Sequence, residues 1–549
     1  MVVYNTTAST GTNGLQQGLV VWKGGRWISV DETPYLHVNS TATGNSTLAN
    51  SGAKSAGSIA IGGDAVAGSF SGNSATAIGN GAQATASNSV ALGTAAQAGD
   101  RTNGNGQSAI AIGNGAYART HYAVAIGDKA EAGYNSTSIG DQAGAGSTST
   151  GTTGIAGNRV AIGTSAGQNV DGDGNVALGR FAGNGITADN TVSIGTGATA
   201  AGKNSIGIGT GAAVAGESSI GIGAGTSAIQ NGSIALGGAA PAYNDNSGVV
   251  PAVNGAAASG ERAIAIGSGA QATGAQSMAI GNNSTATYVR DVAVGNSNTA
   301  AGNPLGNTFR PAVAMGYKNQ ALTADSVALG SGNTASVADG SVAVGYGNRA
   351  EGGSAFGQAS EATGVGSLAM GQISVAKGDL SMAAGSQSHA EGFYSLAVGG
   401  ANVARQDNST AVGVANGAEG LQSTAVGGEN YAYGDKSSAA GYGNTIGIYS
   451  SQPGADMHGH SSSAFGTGNT VSADAAVAIG ANNTIDAGAD RAAVLGTSAT
   501  AHVADGVALG SGSVAGTKSF TDDATRTGYV PIGATAAQTT AINATNSTL

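Results

Sequence analysis

The chain has 549 residues, 97 of them Gly, no Cys and a net charge of −11. Disulfides and thiolate metal sites are therefore excluded, and the acidic balance disfavours a general nucleic-acid or anionic-membrane surface. Gly does not fall at every third position, so collagen is excluded, and the periodic Val, Ile and Leu argue against disorder.

Residues 1–35 hold both tryptophans and read as a cap. Gly18-Leu19-Val20-Val21-Trp22 and Arg26-Trp27-Ile28-Ser29-Val30 flank Lys23-Gly24-Gly25, which predicts a hairpin with Trp22 and Trp27 close across it. A small apolar cap is what the open end of a repeat array needs.

From residue 36 to 517 one stretch recurs. Ser89-Val90-Ala91-Leu92-Gly93 returns as Ala109-Ile110-Ala111-Ile112-Gly113, Ser326-Val327-Ala328-Leu329-Gly330 and Gly506-Val507-Ala508-Leu509-Gly510, about thirty times at about fourteen residues. A fixed period of this length predicts an all-β parallel solenoid, one coil per period, with two short strands of about four or five residues. Gly-Asn pairs such as Gly347-Asn348 and Gly443-Asn444 suit the corners, where positive φ is needed. With alternation along the strand, Val90 and Leu92 are expected inside. Ala91, Ala111, Ala125, Ala328 and Ala508 are then expected outside, as a smooth wall for other chains. So thin a coil has little core for its surface, and the missing burial is expected from two further copies, in a parallel homotrimer. The array is expected to be roughly 140 Å long at about 4.8 Å per coil.

Tyr35-Leu36-His37-Val38-Asn39-Ser40, leading through Ala/Thr/Gly-rich coils to Ser58-Ile59-Ala60-Ile61-Gly62, resembles the start of the YadA-like head of trimeric autotransporter adhesins of Gram-negative bacteria. The Ser-Val-Ala-Ile-Gly repeat resembles that family's head signature. The resemblance implies a left-handed parallel β-roll, three chains side by side, and a head standing off the outer membrane on a stalk. It implies a bacterial cell-surface location, a C-terminal membrane anchor beyond this chain, and ligands such as matrix proteins, host receptors, other bacteria or abiotic surfaces. Residues 518–549 resemble the connector toward a neck or stalk. No signal-peptide pattern follows Met1, so an export signal is expected to lie outside the sequence.

Extra residues enter at about 99–107, 141–158, 238–261, 302–310 and 442–463. All are expected to leave the same corner of the coil, between its second strand and the next motif, and to offer recognition loops. The candidate ligand-binding side chains there are Tyr243, Asn244, Asn246, Arg310, Tyr442, Tyr449 and Asp456. His458 and His460 are the weak metal candidates, since three copies about an axis could form a histidine ring; a solvated loop is the plainer reading. Asp171 and Asp173 lie in a Gly-rich run without the terminal bidentate Glu of a calcium loop. Gly207-Ile208-Gly209-Thr210-Gly211 sits inside the period and opens no helix, which rejects a dinucleotide site. His121, His389 and His502 lie singly in different coils, so no catalytic set assembles.

The expected function is a non-enzymatic adhesin head with multivalent attachment and no cofactor. The alternative is the shaft or receptor-binding part of a phage or injection-system tail fibre. Heptads and a membrane β-strand domain after Leu549 would distinguish the first from the second.

Overall fold

The structure, a computed structural model, describes residues 2–5, 18–23, 26–29, 52–68, 74–100, 107–147, 157–245, 248–250, 252–302, 310–448, 458–516, 535–538 and 540. The chain divides into two compact units, 1–226 and 227–549. Each is a parallel β-solenoid. Among the described residues the first carries eleven motif strands, from Ile59–Ile61 to Ile220–Ile222, and the second eighteen, from Ile234–Leu236 to Val507–Leu509. Like residues stack on like: Val90, Ala91 and Leu92 pair with Ile110, Ala111 and Ile112. A second sheet of two-residue strands runs beside the first, as where Gln97–Ala98 pairs with Tyr117–Ala118. The strands are shorter than the period suggests because corners take up most of each coil.

The two faces are the reverse of the expectation. Ala91, Ala111, Ala125, Ala328 and Ala508 point into the coil and are buried, as are their opposite numbers Ala98 and Ala118. Leu92 is 41% exposed. The physical reason is thickness: two strands packed back to back leave room for methyl groups in most coils, and Val214, Ile446, Val471, Ile485 and Val494 take the inward position in a few. The core is mainly a double column of alanines. The serine before the strand also faces inward, and in several coils it closes the corner, its hydroxyl donating to the carbonyl three residues back, as from Ser89 to Ala86 and from Ser437 to Gly434, both at 2.6 Å.

The glycine after the third residue of nearly every motif strand bends the chain with positive φ. Gly413 lies at φ 123°, and a Cβ there would sit 1.9 Å from the Gly427 carbonyl oxygen, so stacked corners exclude any side chain.

Within the second unit a different coil begins at Val292–Asn296, where the motif strand lengthens from three residues to five. In most of these longer coils Asn stands three residues after the strand glycine. Ala96 in the shorter coil gives its N–H to the glycine carbonyl of its own corner, at 3.3 Å. Asn444 in the longer coil instead donates its N–H to Asn430 Oδ1, at 3.1 Å. Its Nδ2 reaches Asn430 Oδ1 (2.8 Å), the Ala440 carbonyl (3.1 Å) and the Gly466 carbonyl (2.8 Å). The amide takes over the corner's carbonyls and the strand continues through the bend. Asn298, Asn319, Asn333 and Asn348 form one such buried ladder; Asn402, Asn416, Asn430, Asn444, Asn469 and Asn483 form another. Ser360, Ser374 and Ser388 interrupt them, each giving one hydroxyl to a glycine carbonyl of the next coil. Asn348 and Asn444 are thus ladder residues; the positive φ belongs to Gly347 and Gly443 beside them.

Four of the five insertions leave their coil where expected, after the second side and before the next motif. The one at 238–261 does not: it follows the motif strand Ile234–Leu236 and precedes the second strand Ala257–Ala258, and so leaves the opposite corner. It contains an antiparallel pair, Tyr243–Asp245 with Gly248–Val250. At the N-terminal end, Gly18–Lys23 pairs antiparallel with Arg26–Ser29, Trp22 opposite Trp27, and Val2–Asn5 adds a third strand to that sheet. Of the expected connector at 518–549, the described part is a helical turn at 536–538 and residues 535 and 540.

Candidate recognition surface

Three outer surfaces follow from this winding. The first is the outer side of the motif strands. Alternation places residues one and three of every strand there, and in each unit they form a stripe of branched apolar side chains. Ile59, Leu92, Ile139, Leu178 and Ile222 are exposed in the first unit, and Met315, Val426, Phe465, Ile479 and Leu495 in the second. A continuous apolar stripe of this kind is the type of surface on which chains make contact.

The second is the outer side of the two-residue strands, which is polar. Lys377, Glu391, Arg405 and Glu419 stack in successive coils, with Arg405 Nη1 2.6 Å from Glu419 and Lys377 Nζ 3.4 Å from Glu391. Burial raises the Glu419 carboxyl above the ordinary glutamate range, outweighing the attraction of Arg405, and Glu391 adds to the rise.

The third is the corner that leads into the motif strand. Aspartates there accept a backbone N–H from the coil before: Asp379 from Val365, Asp407 from Phe393 and Asp435 from Leu421, each at 2.8 Å. His460 continues the column. Its Nδ1 accepts from the Asp435 N–H at 2.9 Å, and its own N–H donates to Asp474 Oδ1 at 2.8 Å. The imidazole therefore serves as a corner acceptor in place of a carboxylate. His458 holds the corner just before it, with φ 47°. Among the described residues no group of three or more His, Cys, Asp or Glu could hold a metal ion.

The other candidates do not converge. Arg310 ends its insertion as a clamp within the chain: Nε lies 2.7 Å from Asp325 and Nη1 2.6 Å from Asp339, spanning two further coils. The hydrogen bond to Asp325 is the main reason its pKa is raised. Tyr442, nine coils on, is exposed, stands opposite Gly428 in the ladder and hydrogen-bonds Glu429, which raises its hydroxyl pKa above the ordinary value. Tyr243 and Asn244 face Val250 and Val249 in the antiparallel pair. Asn246, Tyr449 and Asp456 lie outside the described residues.

Sequence reasoning missed Arg159. It occupies the inward position that serine holds elsewhere, its guanidinium donates to the Val170 carbonyl, and burial lowers its pKa. It lines a small cleft with Arg119, Glu131 and Ser147. Arginine directly before Val160, where most motifs have Ser or Ala, was the available signal. The neighbouring motifs at Val160, Val176 and Val192 are sixteen residues apart, wider coils that make room for it.

The YadA head domain repeat (2 copies) matches the chain at 71–96, 105–130, 187–212, 258–284, 311–333, 324–348, 349–374, 376–399, 390–414, 418–444 and 458–483. No curated protein matches it. The matched segments fall in both units and coincide with the alanine-cored coils, so the chain carries a YadA-like head domain.

Proposed function

We propose that the chain is the head of a non-enzymatic trimeric autotransporter adhesin, winding left-handed, with three parallel copies meeting on the outer side of their motif strands. The observation that carries this is the apolar stripe. A solenoid cored by alanine buries little, while Ile479 and Leu495 stand 41% and 49% exposed at equivalent positions of neighbouring coils. Three such stripes turned inward would supply the missing core. The head would stand at the bacterial surface, held to the outer membrane by a C-terminal anchor, and attach to matrix, host cells, other bacteria or abiotic surfaces through many weak contacts.

Sedimentation of the purified chain tests the assembly. The parent is expected at the mass of three chains, and Ile479→Asp combined with Leu495→Asp is expected to shift it toward one. A folded monomeric parent would overturn the trimer. Adhesion of cells displaying the chain to coated surfaces tests the role. Excision of 449–457 is expected to weaken attachment while leaving the oligomer intact, since Gly447 and Gly459 pack against one another at the base of that loop. Attachment equal to that of cells without the chain would overturn the adhesin reading.

A further inference from the structure

We propose that the corner ridge running from Val365 to Asp435 in the second unit is a docking surface for an extended cationic peptide in polyproline II conformation. Three observations carry it. At this corner the coils alternate in chemistry: Val365, Phe393 and Leu421 stand in every second coil, with Asp379, Asp407 and Asp435 between them. All three apolar side chains are exposed, Val365 at 62%. Each of the aspartates receives its neighbour's N–H on Oδ1, which fixes the carboxylate at the surface.

The second observation is the backbone. Two residues before each motif strand of this ridge the chain takes left-handed φ, where Gly366 and Asn408 sit naturally. Leu380 and Tyr394 hold the same conformation at φ 55° and 53°, a region bulky side chains rarely enter, and they expose 48% and 54% of their surface. An apolar residue kept in a disfavoured conformation for the sake of an exposed position points to use of that position. Tyr394 packs edge-on against Phe393, ring centroids 4.2 Å apart, which stiffens the middle of the ridge.

The third is spacing. Adjacent coils lie about 4.8 Å apart, so the apolar side chains recur every 9.6 Å or about that distance. One turn of polyproline II advances about 9.3 Å. Two residues of a β-strand advance about 6.7 Å, and two turns of an α-helix about 10.8 Å. From Val365 to Leu421 the first stays in step and the other two drift. The carboxylates between the apolar contacts select Lys or Arg on the ligand.

The inference places a site on the attachment role proposed above, and its test reads binding in solution, so that it stands or falls separately from cell adhesion. The probe is a fluorescein-labelled peptide of four Leu-Lys-Pro repeats, followed by anisotropy with the full chain. It is expected to bind, and to bind more weakly as salt rises. Phe393→Ala with Tyr394→Asn is expected to lower affinity by about tenfold. Asp379→Asn with Asp407→Asn keeps the Oδ1 acceptors and is expected to remove the salt dependence. No binding at about 1 mM peptide, equal binding of a Leu-Glu-Pro peptide, or unchanged affinity in both variants would overturn the proposal. A change in sedimenting mass of the variants would also overturn it, by making the ridge a contact between copies.

Discussion

Asn444 is where a single side chain does most. It bridges three coils, donating into the one before, its own and the one after, and it accepts from Asn469 N–H and Nδ2 at 3.1 and 2.8 Å. Asn444→Ala would leave half-buried carbonyls and the buried Asn430 Oδ1 short of a donor and is expected to cost about 3 kcal/mol in urea unfolding. Asn416→Ser is expected to cost about 1 kcal/mol, because serine already serves this position at Ser374 and Ser388. Equal losses for the two would mean that the amide ladder adds nothing beyond one hydrogen bond. Glu419 offers a pH test. Its folded pKa is raised by burial. It therefore contributes stability that is full below the ordinary glutamate pKa of 4.5 and is lost as pH rises through the raised value. Glu419→Gln is expected to flatten stability against pH in that window and to be no less stable than the parent at pH 7; an unchanged slope would assign it to other groups.

At the level of the strand, the faces can be tested directly. Ala397→Leu overfills the coil and is expected to cost about 1–3 kcal/mol, whereas Val398→Ala next to it is expected to leave the single chain nearly unchanged and to weaken its assembly. The period, the parallel register and the corner glycines were all legible, because Gly93, Gly113 and Gly330 recur where a Cβ cannot be placed. The faces were not. Ser89-Val90-Ala91-Leu92 shows alternation but carries no sign of which side is inside; the usual preference for burying the larger apolar residue points the wrong way when the interior is only two methyl groups deep. The ladder was legible in principle, in the recurrence of Asn three residues after Gly316, Gly330, Gly345 and Gly399. Asn348 and Asn444 were assigned to the corner because each follows a glycine, and burial of an unpaired amide looks costly until its stacked partners are seen. Of the candidate side chains, Arg310 could be placed at a loop end from sequence, but its carboxylate partners stand one and two coils away and only the winding brings them together.

Across a whole unit, coils touch only their neighbours, so stability accumulates coil by coil. Removing one complete winding, residues 396–409, would join Ser395 to Thr410 in the register that Ser409 now holds. That variant is expected to fold with little loss, by circular dichroism and thermal unfolding, while excision of half as many residues from the same place is expected to abolish the second unit's transition. Similar outcomes for the two would show that register is not what holds the array. The left-handed slot before each strand carries a different consequence, one about descent. Asn88, Leu380, Tyr394, Lys436 and Asp505 all occupy it with closely similar backbone. A lineage can therefore rewrite what the protein displays one codon at a time, and each revision leaves the alanine columns undisturbed.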